Sequence, residues 1–406
     1  MIAPLSVSFR AGRHFLQIPG PSNVPDRILR AMNRATIDHR GPEFARLGAE
    51  CLEGMKTIFR TEDNGHVFIY PAGGTGAWEA SIVNTLNTGD RVLMFETGHF
   101  ATLWRRIAEK FGLNVDFVKG DWRHGISAAT VEAKLRDDPS HAIKAVMCVH
   151  TETSTGITSN IAEVRRAMDA VHHPALLMVD AVSSLATCAF RQKEWGVDVA
   201  IAASQKGLML PPGLGFNAVS AKALGASQHA RMPRSYWSWD DMLAFNDKGF
   251  FPYTPATGLL YGLRESIRML VHEEGLAHVF QRHQRLAEAA REAVGAWGLE
   301  LLAEDPREFS SVVTAVMLPG GCDEAEFRRV VLNNFDLSLG AGLGRLAGKV
   351  FRIGHLGDFN DLMLCGTLCG VEMGLAKFGL PPKESGVVAA MAVLAKVPSA
   401  VASGAA

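Results

Sequence analysis

The chain has almost no excess of either charge: 41 Lys and Arg stand against 42 Asp and Glu, for a formal net charge of −1. That balance excludes the basic footprint of a nucleic-acid binder and of a protein drawn to an anionic membrane surface. No apolar run reaches membrane-spanning length. The first residues have no positive stretch leading into an apolar one, so no secretory signal is expected. The closing Ala402-Ser403-Gly404-Ala405-Ala406 is not a peroxisomal address. Cysteine is sparse. The six, at 51, 148, 188, 322, 365 and 369, mostly sit inside apolar runs, and none form a CxxC pair. Reduced thiols in a cytoplasmic protein are expected, with neither disulfides nor zinc. His272 and His278 flank Glu273 and Glu274 but stand six apart, which is not the spacing of HExxH. No metal is expected.

What is present is 406 residues, 48% of them hydrophobic and 20% charged, enough for more than one core. Short apolar runs alternate with helical patterns. Strands are predicted at 67–70, 91–95, 115–118, 143–149, 175–180, 197–203 and 215–220, with helices between most of them. The runs are continuously apolar and do not alternate, as strands buried on both faces must be. The fold class is therefore α/β, a mostly parallel sheet covered on both sides. Ser22 and Asn23 are candidate caps for a helix starting near Pro25, and a second helix is predicted over 42–59. Residues 221–256 read as aromatic and irregular, followed by long helices over 259–297 that break near Gly275. The remainder reads as a smaller α+β unit with strands at 312–317 and 350–353, and the tail after Pro381 reads as loosely held. The expected division is an arm over 1–20, a large domain over 21–280 and a small domain over 281–406.

Ligands in parallel α/β sheets sit beyond the carboxyl ends of the strands. Three features fall there. The run Val197–Ala203 ends in Ser204-Gln205-Lys206, then meets Pro211-Pro212, which cannot continue a strand. A lysine so placed is partly desolvated, which lowers its pKa and frees its amine for an aldehyde. The run Ala175–Val179 ends in Asp180, a carboxylate that is costly unless paired. Upstream, Tyr70-Pro71-Ala72-Gly73-Gly74-Thr75-Gly76 is a strand, a glycine turn and a helix start, suited to a phosphate. It lacks the Walker lysine and the GxGxxG spacing, so a nucleotide is not indicated. Together the acid, the lysine and the glycine turn have the layout of a pyridoxal phosphate site: Asp180 for the pyridine nitrogen, Lys206 for the aldehyde. Phe100, after the next strand, is either a ring-stacking aromatic or a core residue. The hydroxyls of His150-Thr151-Glu152-Thr153-Ser154-Thr155-Gly156 either meet the ring or cap the helix near Ile161. Arg352, inside an apolar strand, either binds a substrate carboxylate or forms a structural pair with an Asp, and a strand interior, a costly place for an idle arginine, favours the first.

The chain resembles the fold-type I pyridoxal phosphate aminotransferases, in particular the serine–glyoxylate and alanine–glyoxylate group. The stretches that carry the resemblance include Pro19-Gly20-Pro21-Ser22-Asn23, Gly74-Thr75-Gly76-Ala77-Trp78-Glu79, Asp180-Ala181-Val182-Ser183-Ser184, Ser204-Gln205-Lys206-Gly207, Pro252-Tyr253-Thr254-Pro255 and Lys349-Val350-Phe351-Arg352-Ile353-Gly354. The resemblance implies pyridoxal 5′-phosphate linked to Lys206, with Asp180 on its ring nitrogen. It implies a phosphate site of Gly74, Thr75, Gly76 and Gln205, completed by Tyr253 and Thr254 reaching over from a partner subunit. It places Phe100 on the ring, Thr153 near the ring hydroxyl, and Arg352 with the backbone near Gly20 at the substrate carboxylate. Three features depart from the family pattern, Thr151-Glu152-Thr153-Ser154-Thr155-Gly156, Asp180-Ala181-Val182-Ser183-Ser184 and Phe100, which stands where some relatives carry Trp, and they bear on the amino donor.

The expected activity is transfer of an amino group from a small amino acid, serine first, to glyoxylate, giving glycine and a 2-oxo acid. Alanine and aspartate are alternative donors. A lyase or desulfurase on the same lysine is a further reading, for which Cys322 is the only loop-like nucleophile. A cofactor-free binding protein is the reading from another class. Small-molecule substrates and a homodimer are expected partners, with neither nucleic acid nor membrane.

Overall fold

The computed structural model describes residues 11–396. Its centre is a seven-stranded sheet of β1 (His66–Tyr70), β2 (Arg91–Phe95), β3 (Asn114–Val118), β4 (Ile143–Val149), β5 (Leu176–Asp180), β6 (Val199–Ala203) and β7 (Gly215–Val219). The order across the sheet is β1-β7-β6-β5-β4-β2-β3. Only β7 runs antiparallel to its neighbours.

Both faces of the sheet are buried, which is why its strands are apolar throughout. Along β4, Val146 and Cys148 point into one core while Ala145, Met147 and Val149 point into the other. Each core is closed by helices. Pro42–Phe59 buries Phe44, Leu47, Met55 and Phe59 against the first. Gly74–Thr85 and His99–Lys110 cover the second, where Trp78 and Trp104 stack with centroids 5.7 Å apart. A separate core forms farther along the chain from the helices Leu276–Trp297, Glu324–Phe335 and Asp361–Lys377 against the antiparallel strands Val313–Met317 and Val350–Gly354.

The structure departs from expectation in several places. Residues 15–17 of the arm are a strand, paired in parallel with Leu337–Leu339. That ladder ties the arm to the last third of the chain, a long-range pairing with no local signal. The first helix, Asp26–Met32, starts at Pro25 with no side-chain cap. Ser22 and Asn23 instead donate to the Lys206 and Leu16 carbonyls. Residues 221–256 contain two helices, Ala221–Ser227 and Trp239–Asn246, capped by Ser220 and Ser238. Aromatic content masked the second: Trp239 is wholly buried and stacks on Phe68 at 5.3 Å. The loosely held tail includes a helix, Gly386–Leu394, whose Ala390 and Val393 pack in the third core. Residues 397–406 of that tail lie outside the described residues. The long helical stretch does break at Gly275, which takes φ +78°, after a π-helical turn over Arg268–Glu273. Among the described residues no helix is long and apolar enough to cross a membrane.

Candidate active site

A cavity of about 220 Å³ opens beyond the carboxyl ends of the central strands. Asp180 is the last residue of β5, and Lys206 follows β6 by three residues. Both line the cavity, with Gly20, Gly74, Thr75, Phe100, Thr153 and Gln205. Residues scattered over nearly two hundred positions thus converge because each parallel strand delivers its next loop to the same edge.

Lys206 is only 8% exposed. Its ammonium is pushed down to about 7, first by burial and then by the Arg352 charge, against the pull of Asp180 and Glu152. The Nζ hydrogen-bonds the Pro19 carbonyl. Asp180 is 5% exposed, and burial pushes its carboxyl up to about 7. The Val182 N–H, donating to Oδ1 at 2.7 Å, opposes that shift, whereas the Glu152 charge adds to it. The Trp78 indole N–H leans toward Asp180 without making a hydrogen bond of standard geometry. An acid and a base, each shifted by burial toward pH 7 in one cavity, mark it as a candidate reaction centre.

The turn that presents Lys206 is held by Ser204. Its Oγ donates to the Pro211 carbonyl at 2.8 Å and accepts the Leu214 N–H at 3.1 Å. The arm closes the other side: the Ser22 N–H donates to the Gln205 carbonyl at 2.9 Å. Arg352 is 6% exposed, and burial pushes its guanidinium down to about 10. Its Nε donates to the Ala341 carbonyl and Nη1 to the Thr153 carbonyl, both at 2.8 Å. Nη2 makes no hydrogen bond to the described residues, so the fork keeps a free donor.

Of the residues singled out in the sequence, Gly76 sits inside the first turn of the Gly74–Thr85 helix, facing Ala72 and Trp237, and does not line the cavity. Tyr253 and Thr254 are exposed and line a different hollow with Pro71, Leu214 and Tyr236. The Thr153 hydroxyl is engaged with Ser183 Oγ, and the helix at Ile161 is capped by Asn160, not by the hydroxyl loop. Cys322 packs against the third core and does not line the cavity. Sequence reasoning missed Glu152, 1% exposed, and His150, whose ring nitrogen meets Ser184 Oγ at 2.8 Å. Both lie in a motif read only for its hydroxyls. A charged residue immediately after a buried strand was the available signal.

The donor set suits a flat, phosphorylated aldehyde with a basic ring nitrogen. A lysine amine can take the aldehyde and an ionisable carboxylate can take the ring nitrogen. A helix start at Gly74 offers backbone N–H groups to a phosphate. Among the described residues Gln205 Oε1 is buried without a hydrogen-bond partner, an unfilled polar position at the cavity wall.

Comparison with known proteins agrees with this chemistry. Residues 14–342 match the family model for class-V aminotransferases. The chain is 47% identical to the serine–glyoxylate aminotransferase of Methylorubrum extorquens, over 98% of this chain and 100% of that one. It is 45% identical to the L-aspartate–glyoxylate aminotransferase of Paracoccus denitrificans, over 92% and 94%. Among solved structures, the ureidoglycine–glyoxylate aminotransferase of Bacillus subtilis superposes with a TM-score of 0.88 at 27% identity, covering 96% and 100%.

Proposed function

The chain belongs to the class-V aminotransferase family, and from that premise we propose that it is a homodimeric, cytoplasmic enzyme whose preferred amino donor is serine. It is a pyridoxal 5′-phosphate-dependent aminotransferase that delivers the amino group to glyoxylate. The observation that carries the site assignment is the convergence of Lys206 and Asp180, both displaced to near-neutral pKa, on one cavity.

When bound, the cofactor supplies an aldehyde for amines and a ring that accepts electrons from a bond being broken. In this reading Lys206 Nζ would be both the point of attachment and, once released, the base that takes a proton from the amino acid α-carbon and gives it up at the carbon that had carried the aldehyde. A lysine held near pH 7 can do both, since neither protonation state is far out of reach. Asp180 would keep a proton on the ring nitrogen, and the protonated ring would in turn favour the charged form of a carboxylate that burial pushes up to about 7. Gly74, Thr75 and Gln205 would hold the phosphate, with Gly76 supporting that turn, Phe100 would cover the ring and Thr153 would meet its hydroxyl. Arg352 and the backbone at Gly20 orient the substrate carboxylate. Glyoxylate has no side chain, so that contact supplies most of its orientation.

Tyr253 and Thr254 are exposed and apart from the cavity of their own protomer, which leaves them available to the phosphate site of a second copy once the Tyr253 hydroxyl gives up Ser235 Oγ, now at 2.9 Å. The separate core built on residues 286–393 supports dividing the chain into a large unit over 21–280 and a small one over 281–406. A desulfurase would need a thiol at the cavity, and Cys322 is not there.

Incubating the purified enzyme with glyoxylate and serine, alanine or aspartate in turn tests the reading. Glycine should form fastest with serine. Faster turnover with aspartate would move the donor assignment, and no glycine with any donor would overturn the reading.

A further inference from the structure

The helix His99–Lys110 begins at Gly98, which has no side chain and makes no side-chain cap. Its first N–H groups would be left without partners. They are capped from about fifty residues away. Glu152 Oε1 accepts the Phe100 N–H at 3.3 Å, and Oε2 accepts the Ala101 N–H at 3.0 Å. Ser154 Oγ accepts the His99 N–H at 2.9 Å and itself donates to Glu152 Oε1 at 2.6 Å. The Ser154 N–H also donates to Oε1, at 3.1 Å. Gly98 is needed for this approach, since a β-carbon there would lie 2.6 Å from Ser154 Oγ.

The two segments so joined form walls of the same cavity. Phe100 belongs to the capped turn, and Thr153 lies between the two capping residues. The Thr153 carbonyl in turn holds Arg352. A carboxylate 1% exposed, taking four hydrogen bonds, is a fixed strut and not a solvated charge.

We propose that Glu152 is a positioning residue for the cofactor cavity: it clamps the first turn of the Phe100 helix to the Thr153 loop and so sets where the Phe100 ring lies against the bound cofactor. The proposal rests on the reading of the cavity as a pyridoxal phosphate site. Glu152 itself touches neither cofactor nor substrate in this assignment. A carboxylate at a helix start is favourably placed in its own right. Glutamine at 152 would keep the shape but turn one acceptor into a donor facing an N–H. Alanine would remove both acceptors.

The test uses the cofactor-free protein. Amide hydrogen exchange over residues 98–103 should speed up in E152Q and more in E152A. Titration with pyridoxal 5′-phosphate should show binding weaker by about five- to tenfold in E152Q, the loss expected for one buried cap. In a double-mutant cycle, E152Q and F100L should be less than additive on cofactor binding, because both act through the same ring. If E152A does not fold, E152Q carries the test alone. Additive effects in the cycle, or unchanged exchange and cofactor affinity in E152Q, would overturn the proposal. Failure of the unmodified protein to bind the cofactor would instead overturn the functional reading on which the proposal rests.

Discussion

Gly20 and Lys206 are in van der Waals contact across 186 positions of sequence: a β-carbon built on Gly20 would lie 2.5 Å from Lys206 Cδ. With φ +92°, Gly20 also holds a backbone conformation that other residues enter at a cost. The arm that carries it pairs with Leu337–Leu339, and Pro19 packs against Gly340, which bridges to Arg352. Lys206 and Arg352 are thus braced by one segment near the start of the chain.

Replacing Gly20 with alanine should therefore displace Lys206 and not merely strain a loop. The backbone penalty alone is about 1–3 kcal/mol. The expected result is a lowered melting temperature together with slower covalent capture of pyridoxal phosphate, followed by its yellow colour. Normal capture with only a stability loss would show that the lysine tolerates the push.

Lys206→Ala should abolish covalent capture and reduce turnover by at least about 10³-fold, since it removes both the nucleophile and the proton carrier. Borohydride reduction followed by mass measurement reads this directly: the unmodified protein gains the cofactor mass and the variant does not. A variant that kept the yellow colour would contradict the assignment.

Asp180→Asn keeps the size of the side chain and removes its charge. It should weaken cofactor binding by about ten- to a hundredfold, the value of a charge-assisted hydrogen bond, and lower kcat as well. Arg352→Lys should instead raise KM for both the amino acid and glyoxylate by about ten- to a hundredfold, with a smaller effect on kcat, because an ammonium cannot hold the Ala341 and Thr153 carbonyls and still keep a donor fixed for a carboxylate. Steady-state kinetics with cofactor in excess separates the two patterns.

Acid sensitivity has an identifiable source. Burial pushes the imidazoles of His283 and His355 down to about 3 and that of His150 to about 4. His283 shows why. Its Nδ1 meets the Val279 carbonyl at 2.7 Å and its Nε2 accepts the Gly357 N–H at 3.0 Å, so only the neutral ring fits. Unfolded histidine titrates near 6.5, so the native state binds fewer protons below that value. These groups contribute stability that is fully present above about pH 6.5 and is lost as pH falls toward their folded values. Asp180, with its pKa raised to about 7, works the other way between about pH 4 and 7. Comparing H283Q with the unmodified protein isolates one histidine. Urea denaturation between about pH 6.5 and 4 should show a shallower loss of stability in the variant.

Some of this was open to sequence reasoning because the relevant forces are local or periodic. Continuous apolar runs ending in Asp180 and Lys206 announced buried parallel strands with polar residues at their carboxyl ends, and parallel sheets deliver those ends to one edge. The glycine turn at 73–76 announced a helix start. The helix Trp239–Asn246 was hidden because its aromatic residues pack onto the sheet, and the tail helix Gly386–Leu394 because its partners are ninety residues upstream. Glu152 was overlooked because its value as a cap exists only once a glycine-initiated helix from elsewhere is laid against it.

The amino acid order by itself determined the α/β class, the desolvated lysine and the buried acid, since burial of a strand follows from the residues within it. Which groups share a cavity, that Pro19 and Gly20 lie on Lys206, that Arg352 holds the Thr153 loop, and that Tyr253 and Thr254 stand apart were decided only by the tertiary structure. Those relationships are contacts between segments separated by tens to hundreds of residues, and no local propensity encodes the path by which the chain returns.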